Sequence, residues 1–138
     1  VVASQLQLGL DVLKAWGFTH KQVVSWNKQT KTGLPAFGMG WTFRASSEFA
    51  LVGIRGRMKR YRKDGKQRNR IDSIGRGHTT KPEELQDALE LMYPDEAMLE
   101  LFARRARPGW MCLGNECPGD GRDIRDSLRM IVERIALR

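Results

Sequence analysis

Apolar residues recur along the chain with two different periods, which separate predicted helices from predicted strands. Residues 5–16 carry leucines three or four positions apart, which predicts an amphipathic helix with Ser4 as its N-cap and Gly17 as its stop. The β-branched and aromatic residues of 18–28 predict a strand directly after this helix. A helix joined so closely to a strand is typical of half of an α/β crossover unit.

A glycine-rich loop and a predicted strand pair come next. Residues 41–44 begin a short strand, and the apolar run 49–54 predicts a longer one. Arg44 and Glu48 are the charged residues between these runs, and a structural ion pair is one explanation for both.

The following predicted helix has an unusually clear start. Thr80 and Glu83 fit a capping box, and apolar residues then repeat at helical spacing to about Met92. Lys81 lies beside the amino terminus of this helix, where backbone N–H groups and a cation can bind a phosphate or a carboxylate. Capping alone also explains most of this pattern.

Residues 98–103 form a short, almost continuously apolar run that predicts a central strand covered on both faces of a parallel sheet. The run opens directly into a basic turn that starts at Arg104. Ligands of open α/β sheets bind beyond the carboxyl ends of strands, so a polar site is expected here, with a basic surface loop as the alternative. A last amphipathic helix is predicted from about Arg122.

Composition limits the class of protein. The chain has 138 residues, 41% of which are apolar, and its mean hydropathy is −0.49. These values predict a single ordinary domain, residues 1–138, without a membrane span. Cys112 and Cys117 fit neither a C-x-x-C motif nor a disulfide framework, which favours a reducing, cytoplasmic compartment. His20 and His78 lie far apart in sequence, and no metal site is predicted.

The net charge of +8 is concentrated in one segment. Residues 55–77 are predicted to form a basic loop, in which ten basic residues face only two aspartates, so the rest of the chain is neutral. Such a segment suits contact with a nucleic-acid backbone, whereas a solvated loop is the simpler interpretation. The predicted nucleic-acid-binding residues are Arg55, Arg57, Lys59, Arg60, Arg62, Lys63, Lys66, Arg68 and Arg70.

Five short motifs occur in a fixed order. They are W-x-K at Trp26 and Lys28, G-x-G-W with Arg44 and Glu48 before L-V-G-I-R-G, T-K-P-E-E, E-L-F-A-R, and G-W-x-x-x-G-N-E ending at Glu116. Together they resemble the MT-A family of S-adenosylmethionine-dependent N(6)-adenine methyltransferases. The resemblance covers most of the chain and implies a bacterial or phage enzyme that acts on nucleic acid, with DNA favoured over RNA.

The resemblance also implies a fold and a cofactor site. The fold is α/β, a Rossmann-like methyltransferase fold of circularly permuted type, of which this chain is expected to be the carboxyl-terminal portion with the N-terminal part missing. Lys81 matches the family lysine near the methionine carboxylate of S-adenosylmethionine. Arg104, Asn115 and Glu116 match residues near its ribose, for whose diol an amide and a carboxylate are suitable partners.

One family feature is absent from this sequence. The D-P-P-W-type tetrapeptide that grips the target amine cannot be placed, because no two of the five prolines are adjacent. The catalytic residues are therefore unknown, and this chain alone is expected to be inactive. The alternatives are a non-catalytic nucleic-acid-binding or partner subunit of the same fold and an RNA adenosine methyltransferase, with a basic α/β module that binds no cofactor as a more distant one.

Overall fold

The computed structural model of the chain describes residues 1–57, 61–74, 81–117 and 123–136. These residues form a mixed α/β structure that divides into two compact units, Val1–Pro94 and Asp95–Arg138. Within the described part of the chain, no helix is both long enough and apolar enough to cross a membrane.

The first unit is built around a three-stranded sheet. Its elements are α1 (Leu6–Ala15), β1 (Thr19–Gln29), β2 (Ser47–Ile54), β3 (Arg70–Ile74) and α2 (Glu84–Met92). The long strand β1 lies in the middle, antiparallel to β2 on one side and parallel to β3 on the other. Because β1 is central, its side chains can contact residues from both neighbouring strands.

The predicted first helix and strand are confirmed. Helix α1 ends where Gly17 adopts a φ of 76°, a left-handed conformation that glycine enters without steric cost. The predicted cap at Ser4 is wrong, because Ser4 lies inside a short 3-10 helix at Ala3–Gln5 and the cap position of α1 is Gln5. Strand β1 follows the helix almost immediately, as the pattern predicted.

Strand β3 corrects the prediction that residues 55–77 are a loop throughout. Its register sets Arg70 opposite Ser25 and Ile74 opposite Gln29 of β1. Its five residues alternate in exposure, with Ser73 buried and its neighbours Asp72 and Ile74 more open to solvent. Charged residues lie within and beside this strand, so its alternation was not recognisable as a strand pattern in the sequence.

Two further predictions in the first unit have different outcomes. The strand expected at residues 41–44 is wrong, since this stretch lies in the loop between β1 and β2. The helix expected to end near Met92 is confirmed as α2, which has Glu83 at its cap position and no side-chain capping hydrogen bond there. Thr80, the other half of the predicted capping box, lies outside the described residues.

The second unit contains β4 (Met98–Leu101), β5 (Trp110–Leu113) and α3 (Ile124–Ala136), and its two strands pair in parallel. The prediction of a central strand at 98–103 is wrong for the described residues, because β4 belongs to a two-stranded sheet and Leu99 is 48% exposed. An apolar run shows that a segment is a strand but not how many neighbours it has. Strand β5 was not predicted, and Arg122, where α3 was expected to begin, lies outside the described residues.

Candidate functional site

Trp26 forms the floor of the candidate site in the first unit. Its side chain lies on the central strand β1 and is 8% exposed. The indole Nε1 donates a hydrogen bond of 2.8 Å to Oγ of Ser73 on β3, which is 6% exposed. A buried tryptophan and a buried hydroxyl thus satisfy each other, and the bond ties β1 to β3.

Two lysines and one carboxylate lie above this ring. Glu48, at the start of β2, accepts a hydrogen bond from Lys28 at one carboxylate oxygen and from Lys81 at the other, the latter at 2.6 Å. The Nζ atoms of Lys28 and Lys81 lie 4.9 Å and 5.7 Å from the centroid of the Trp26 ring, within the range of a cation–π interaction. The cluster carries one net positive charge.

The three charged side chains differ in their exposure to solvent. Glu48 is 14% exposed and Lys28 33%, whereas Lys81 is 67% exposed. Burial by itself would raise the pKa of Glu48, but the hydrogen bonds from Lys28 and Lys81 bring that pKa below its ordinary value. Glu48 is therefore ionised at neutral pH, and Lys81 is the cation that a ligand can reach.

An apolar cavity of about 330 Å³ adjoins this cluster within the first unit. Its polar edge is formed by Glu48 and Lys81. The remaining lining residues are Val1, Gly9, Val12, Leu13, Val24, Trp26, Phe49, Ala50, Leu51, Ile71, Pro82 and Leu85. An apolar pocket with a few charged groups at one side is typical of a small-molecule site.

The opposite face of the sheet carries a polar network of neutral and charged groups. Oδ1 of Asn27 accepts hydrogen bonds from Ser25 and Ser47, and its amide donates to Asp72 on β3 at 2.9 Å. Arg70 lies beside Asp72, and the hydrogen bonds between them lower the pKa of that carboxyl. This network spans all three strands and fixes their register on the face away from Trp26.

In the second unit, the structure brings together the predicted ribose-binding residues at the carboxyl ends of two neighbouring parallel strands. Arg104 follows β4, and Asn115 and Glu116 follow β5. Nε of Arg104 lies 3.4 Å from Oε1 of Glu116, and all three side chains are exposed. Lys81, the fourth predicted cofactor residue, lies in the first unit.

The backbone under these residues is tightly packed. Ala103 is 1% exposed and donates its N–H to the carbonyl of Leu113 at 2.9 Å. A Cβ atom added at Gly114 would lie 2.1 Å from the carbonyl oxygen of Ala103, so only glycine fits there. Phe102 has a φ of 60°, an unusual conformation for a residue with a side chain, and such strain is concentrated at functional sites.

The basic segment is only partly available to a ligand. The described basic side chains are exposed: Arg55, Arg57, Arg62, Lys63, Lys66, Arg68 and Arg70. Among them, Arg55 lies over the ring of Phe18 at 5.6 Å and Arg70 pairs with Asp72. The other predicted members, Lys59 and Arg60, lie outside the described residues.

Comparison with known proteins establishes the family. The model of the MT-A70 family matches residues 2–116, which include every element from α1 to β5 and the candidate site residues of both units. The chain belongs to the MT-A70 family. The match ends at Glu116, so the α3 helix of this MT-A70 protein lies outside it.

Several curated relatives are similar over most of the chain. The MT-A70-like N(6)-adenosine-methyltransferase of Arabidopsis thaliana is 32% identical over 133 residues, which are 94% of this chain and 19% of the relative. A putative MT-A70-like enzyme of Medicago truncatula is 32% identical over 86% of this chain. The catalytic subunit of the Homo sapiens N(6)-adenosine-methyltransferase is 27% identical over the same share. The chain spans about a fifth of the length of these relatives.

Lys81 has a partner, Glu48, that the sequence did not indicate. A structural ion pair was one explanation for Glu48, and the structure confirms it, with Lys28 and Lys81 as the partners. Arg44 instead lies over the ring of Phe37 at 4.9 Å. The spacing of Trp26 and Lys28 was one available signal, because alternate residues of a strand share a face. The role of Ser73 carried no such signal, since β3 itself was not predicted.

Among the described residues, no group of three or more histidine, cysteine or acidic side chains could hold a metal ion, and Cys112 and Cys117 are both thiols.

Proposed function

We propose that this chain is the cofactor-binding and nucleic-acid-binding part of an S-adenosylmethionine-dependent N(6)-adenine methyltransferase with a permuted Rossmann-like fold. The observation that carries the proposal is the family match over residues 2–116, in which a reachable lysine is held beside a buried indole. Relatives in the same family are N(6)-adenosine methyltransferases by name.

The cluster at Lys81 suits an anionic ligand. Lys28 and Lys81 share one carboxylate, that of Glu48, so the cluster keeps one positive charge that a second carboxylate can neutralise. Lys81 is the more exposed of the two lysines and can turn toward a ligand without unburying Glu48. We therefore assign Lys81 to the methionine carboxylate of S-adenosylmethionine.

The second unit suits a ribose. Arg104, Asn115 and Glu116 present a cation, an amide and a carboxylate at adjacent strand ends, where ligands of parallel sheets bind. Glu116 can accept hydrogen bonds from both hydroxyls of a diol, and Asn115 can donate and accept. Arg104 lies beside the carboxylate of Glu116, and we propose a ribose as the ligand of these three residues.

S-adenosylmethionine would supply a sulfonium methyl group for direct transfer to the exocyclic amine of adenine. The contribution of this chain is then binding and orientation: Lys81 holds one end of the ligand, and the residues after β5 hold the sugar. The catalytic tetrapeptide of the family is not present in this sequence, so no residue here is assigned to the acceptor amine.

The substrate proposed is adenine in a polynucleotide, which the exposed basic side chains of residues 55–70 would bind through its phosphates. The resemblance of the five sequence motifs favours DNA. The names of the relatives specify adenosine, a ribonucleoside, and this observation supports RNA as a second candidate substrate. Phosphate contacts carry little sequence information, so the basic segment serves either polymer.

Calorimetric titration with S-adenosylmethionine tests the cofactor assignment. Lys81→Ala should weaken binding by about 1.5–3 kcal/mol, roughly 10- to 150-fold, because it removes a hydrogen bond to a charged group. Asn115→Ala should cost about 0.5–1.5 kcal/mol, since its bond to a hydroxyl is neutral. Lys21→Ala, an exposed lysine elsewhere on β1, is the matched control. Equal affinity of Lys81→Ala and the control would refute the assignment.

Transfer of labelled methyl groups to RNA and DNA oligonucleotides distinguishes the alternatives. Methylation of adenine by the full-length protein would establish an enzyme and its polymer, whereas cofactor-independent binding without transfer would favour the non-catalytic subunit. The basic segment is tested separately by alanine at Lys59, Arg60, Arg62 and Lys63. On duplex DNA, the slope of log K against log salt should flatten by roughly 0.9 for each phosphate that these side chains neutralise in the wild type.

A further inference from the structure

The loop between β1 and β2, residues 30–46, exposes large apolar side chains to solvent. Trp41 is 103% exposed, Met39 90%, Phe43 87% and Phe37 79%. Burying one such side chain would stabilise a protein by about 1.5–3 kcal/mol, so four of them exposed in one loop indicate a binding surface. We call residues 30–46 the aromatic loop.

The aromatic loop has a defined backbone. The N–H of Ala36 donates to the carbonyl of Lys28 at 2.7 Å, and the N–H of Gly38 donates to the carbonyl of Ala45 at 3.0 Å. A Cβ atom at Gly38 would lie 2.3 Å from that same oxygen, and one at Gly40 would lie 1.9 Å from the carbonyl oxygen of Phe43. The two glycines let the two sides of the loop approach closely, and the aromatic rings project from this framework.

The charged residues of the aromatic loop indicate which kind of partner it binds. It contains no aspartate or glutamate, and its two charged residues are Lys31 and Arg44. The guanidinium of Arg44 lies 4.9 Å from the ring centroid of Phe37, so a cation is held beside an aromatic face. A second copy of this chain, with its net charge of +8, would be repelled, whereas a polyanion with flat apolar groups would be attracted to both features.

The aromatic loop also begins and ends at the candidate site. It leaves the sheet just after Lys28 and returns just before Glu48, and these two residues are hydrogen-bonded to each other. The base of the loop therefore adjoins the cluster above Trp26. In the proposed function, the group that must reach this region is an adenine with its neighbouring nucleotides.

We propose that the aromatic loop is a stacking platform for unpaired bases of the nucleic acid that carries the target adenine. Trp41 and Phe43 supply the faces on which bases stack, and Arg44 and Lys31 contact phosphates. Any base can stack on an aromatic side chain, because every base has a π-face. The loop would therefore add affinity for single strands without sequence preference. The inference rests on the proposed function for its substrate but not on any cofactor residue.

Fluorescence anisotropy with labelled single-stranded RNA and DNA of about 12 nucleotides tests the stacking platform. Trp41→Ala and Phe43→Ala should each weaken binding by roughly 5- to 150-fold, the range for removal of one base–aromatic stack. Because no charge is removed, the slope of log K against log salt should not change. Arg44→Gln should lower that slope by about 0.7, the value for one neutralised phosphate on a single strand.

Two further variants control for unspecific damage. Trp16→Ala removes another exposed tryptophan, 58% exposed at the end of α1, and should bind as the wild type does. Gly40→Ala keeps every aromatic ring but forces the loop apart, and it should lose affinity as Trp41→Ala does. An oligonucleotide with abasic sites has no bases to stack on the loop. Its affinity for the wild-type protein should therefore be no higher than the affinity of the intact oligonucleotide for Trp41→Ala.

Unchanged affinity of Trp41→Ala and Phe43→Ala would overturn the inference. Sedimentation equilibrium provides a second way to refute it: a wild-type dimer that Trp41→Ala dissociates would identify a protein interface instead. Titration with S-adenosylmethionine separates this result from the proposed function. Cofactor binding with no effect of Trp41→Ala on oligonucleotides would reject the platform alone, whereas stacking without cofactor binding would reject the methyltransferase assignment alone.

Discussion

Replacing Glu48 with glutamine removes the only negative charge of the cluster above Trp26 and keeps the shape of the side chain. The hydrogen bond between Glu48 and Lys28 is partly buried, because the Glu48 side chain is 14% exposed and the Lys28 side chain is 33% exposed. A hydrogen bond to a charged group contributes about 1.5–3 kcal/mol to stability. The contact with Lys81, which is 67% exposed, adds less than about 1 kcal/mol because solvent screens it.

We therefore expect Glu48→Gln to lower the free energy of unfolding by about 1–3 kcal/mol at neutral pH, since glutamine retains a weaker hydrogen bond while the two lysines repel each other. Urea denaturation followed by tryptophan fluorescence measures the difference. Lys81→Ala should change stability by less than about 1 kcal/mol, and Glu133→Gln, an exposed carboxylate on α3, should leave it unchanged.

The pH dependence of stability shows whether the loss in Glu48→Gln is electrostatic. The pKa of Glu48 in the folded protein lies below its ordinary value of 4.5, so the unfolded chain takes up the proton more readily. The stabilisation by Glu48 is complete above about pH 4.5 and is lost as the pH falls through the folded pKa. The stability difference between wild type and Glu48→Gln should shrink as the pH is lowered from about 5 toward 3. A difference that stays constant over this interval would refute the electrostatic explanation.

Three other changes have defined outcomes. Gly114→Ala should lower stability by about 1–3 kcal/mol in thermal unfolding, because its Cβ would lie 2.1 Å from the carbonyl oxygen of Ala103. A double-mutant cycle of Trp26→Phe and Ser73→Ala should give a coupling energy of about 0.5–1.5 kcal/mol, the contribution of one neutral hydrogen bond. Asp123 precedes α3 and caps it, since its Oδ1 accepts a hydrogen bond of 2.8 Å from the backbone N–H of Arg125. The side-chain hydrogen bond from Arg125 lowers the pKa of Asp123 from 3.8 to about 2, so the N-terminal end of α3 should lose helical circular dichroism as the pH falls through that interval.

Each of these expectations has a control. Gly65→Ala is matched to Gly114→Ala, since the atoms nearest its Cβ belong to the flexible guanidinium of Arg62, and equal losses of stability in the two variants would contradict the packing argument. Additive effects at Trp26 and Ser73 would show that their hydrogen bond contributes nothing to stability. Asp123→Asn keeps a capping side chain without a titrating group, and an unchanged acid transition in this variant would assign the transition to another residue.

Local pattern was sufficient for four elements of the first unit, α1, β1, β2 and α2. Leucine spacing predicted α1, β-branched and aromatic residues predicted β1, the apolar run 49–54 predicted β2, and the apolar stripe before Met92 predicted α2. In each case the buried face is set by residues close together in sequence. The same information failed for β3 and β5. Both strands are short, and β3 lies among charged residues, so their pairing depends on partners elsewhere in the chain.

The motifs likewise determined the family, and the apolar run before Arg104 placed this residue at the end of a strand, as the structure has it. The strand that precedes Asn115 and Glu116 was not predicted. The motifs did not determine how many neighbours β4 has or that Phe102 adopts a positive φ. The number of neighbours of β4 depends on its pairing with β5, which a run of apolar residues does not encode.

The amino-acid sequence by itself thus determined the helices, the longer strands, the basic segment and the family of this protein. Only the tertiary structure decided that Glu48 holds two lysines, that Trp26 donates to a serine 47 positions away, and that the rings of the aromatic loop face water. The physical reason is the range of the interactions. Periodicity and capping act between residues within a few positions, whereas charge pairing and exposure follow from strand register, which brings distant residues onto one face of the sheet.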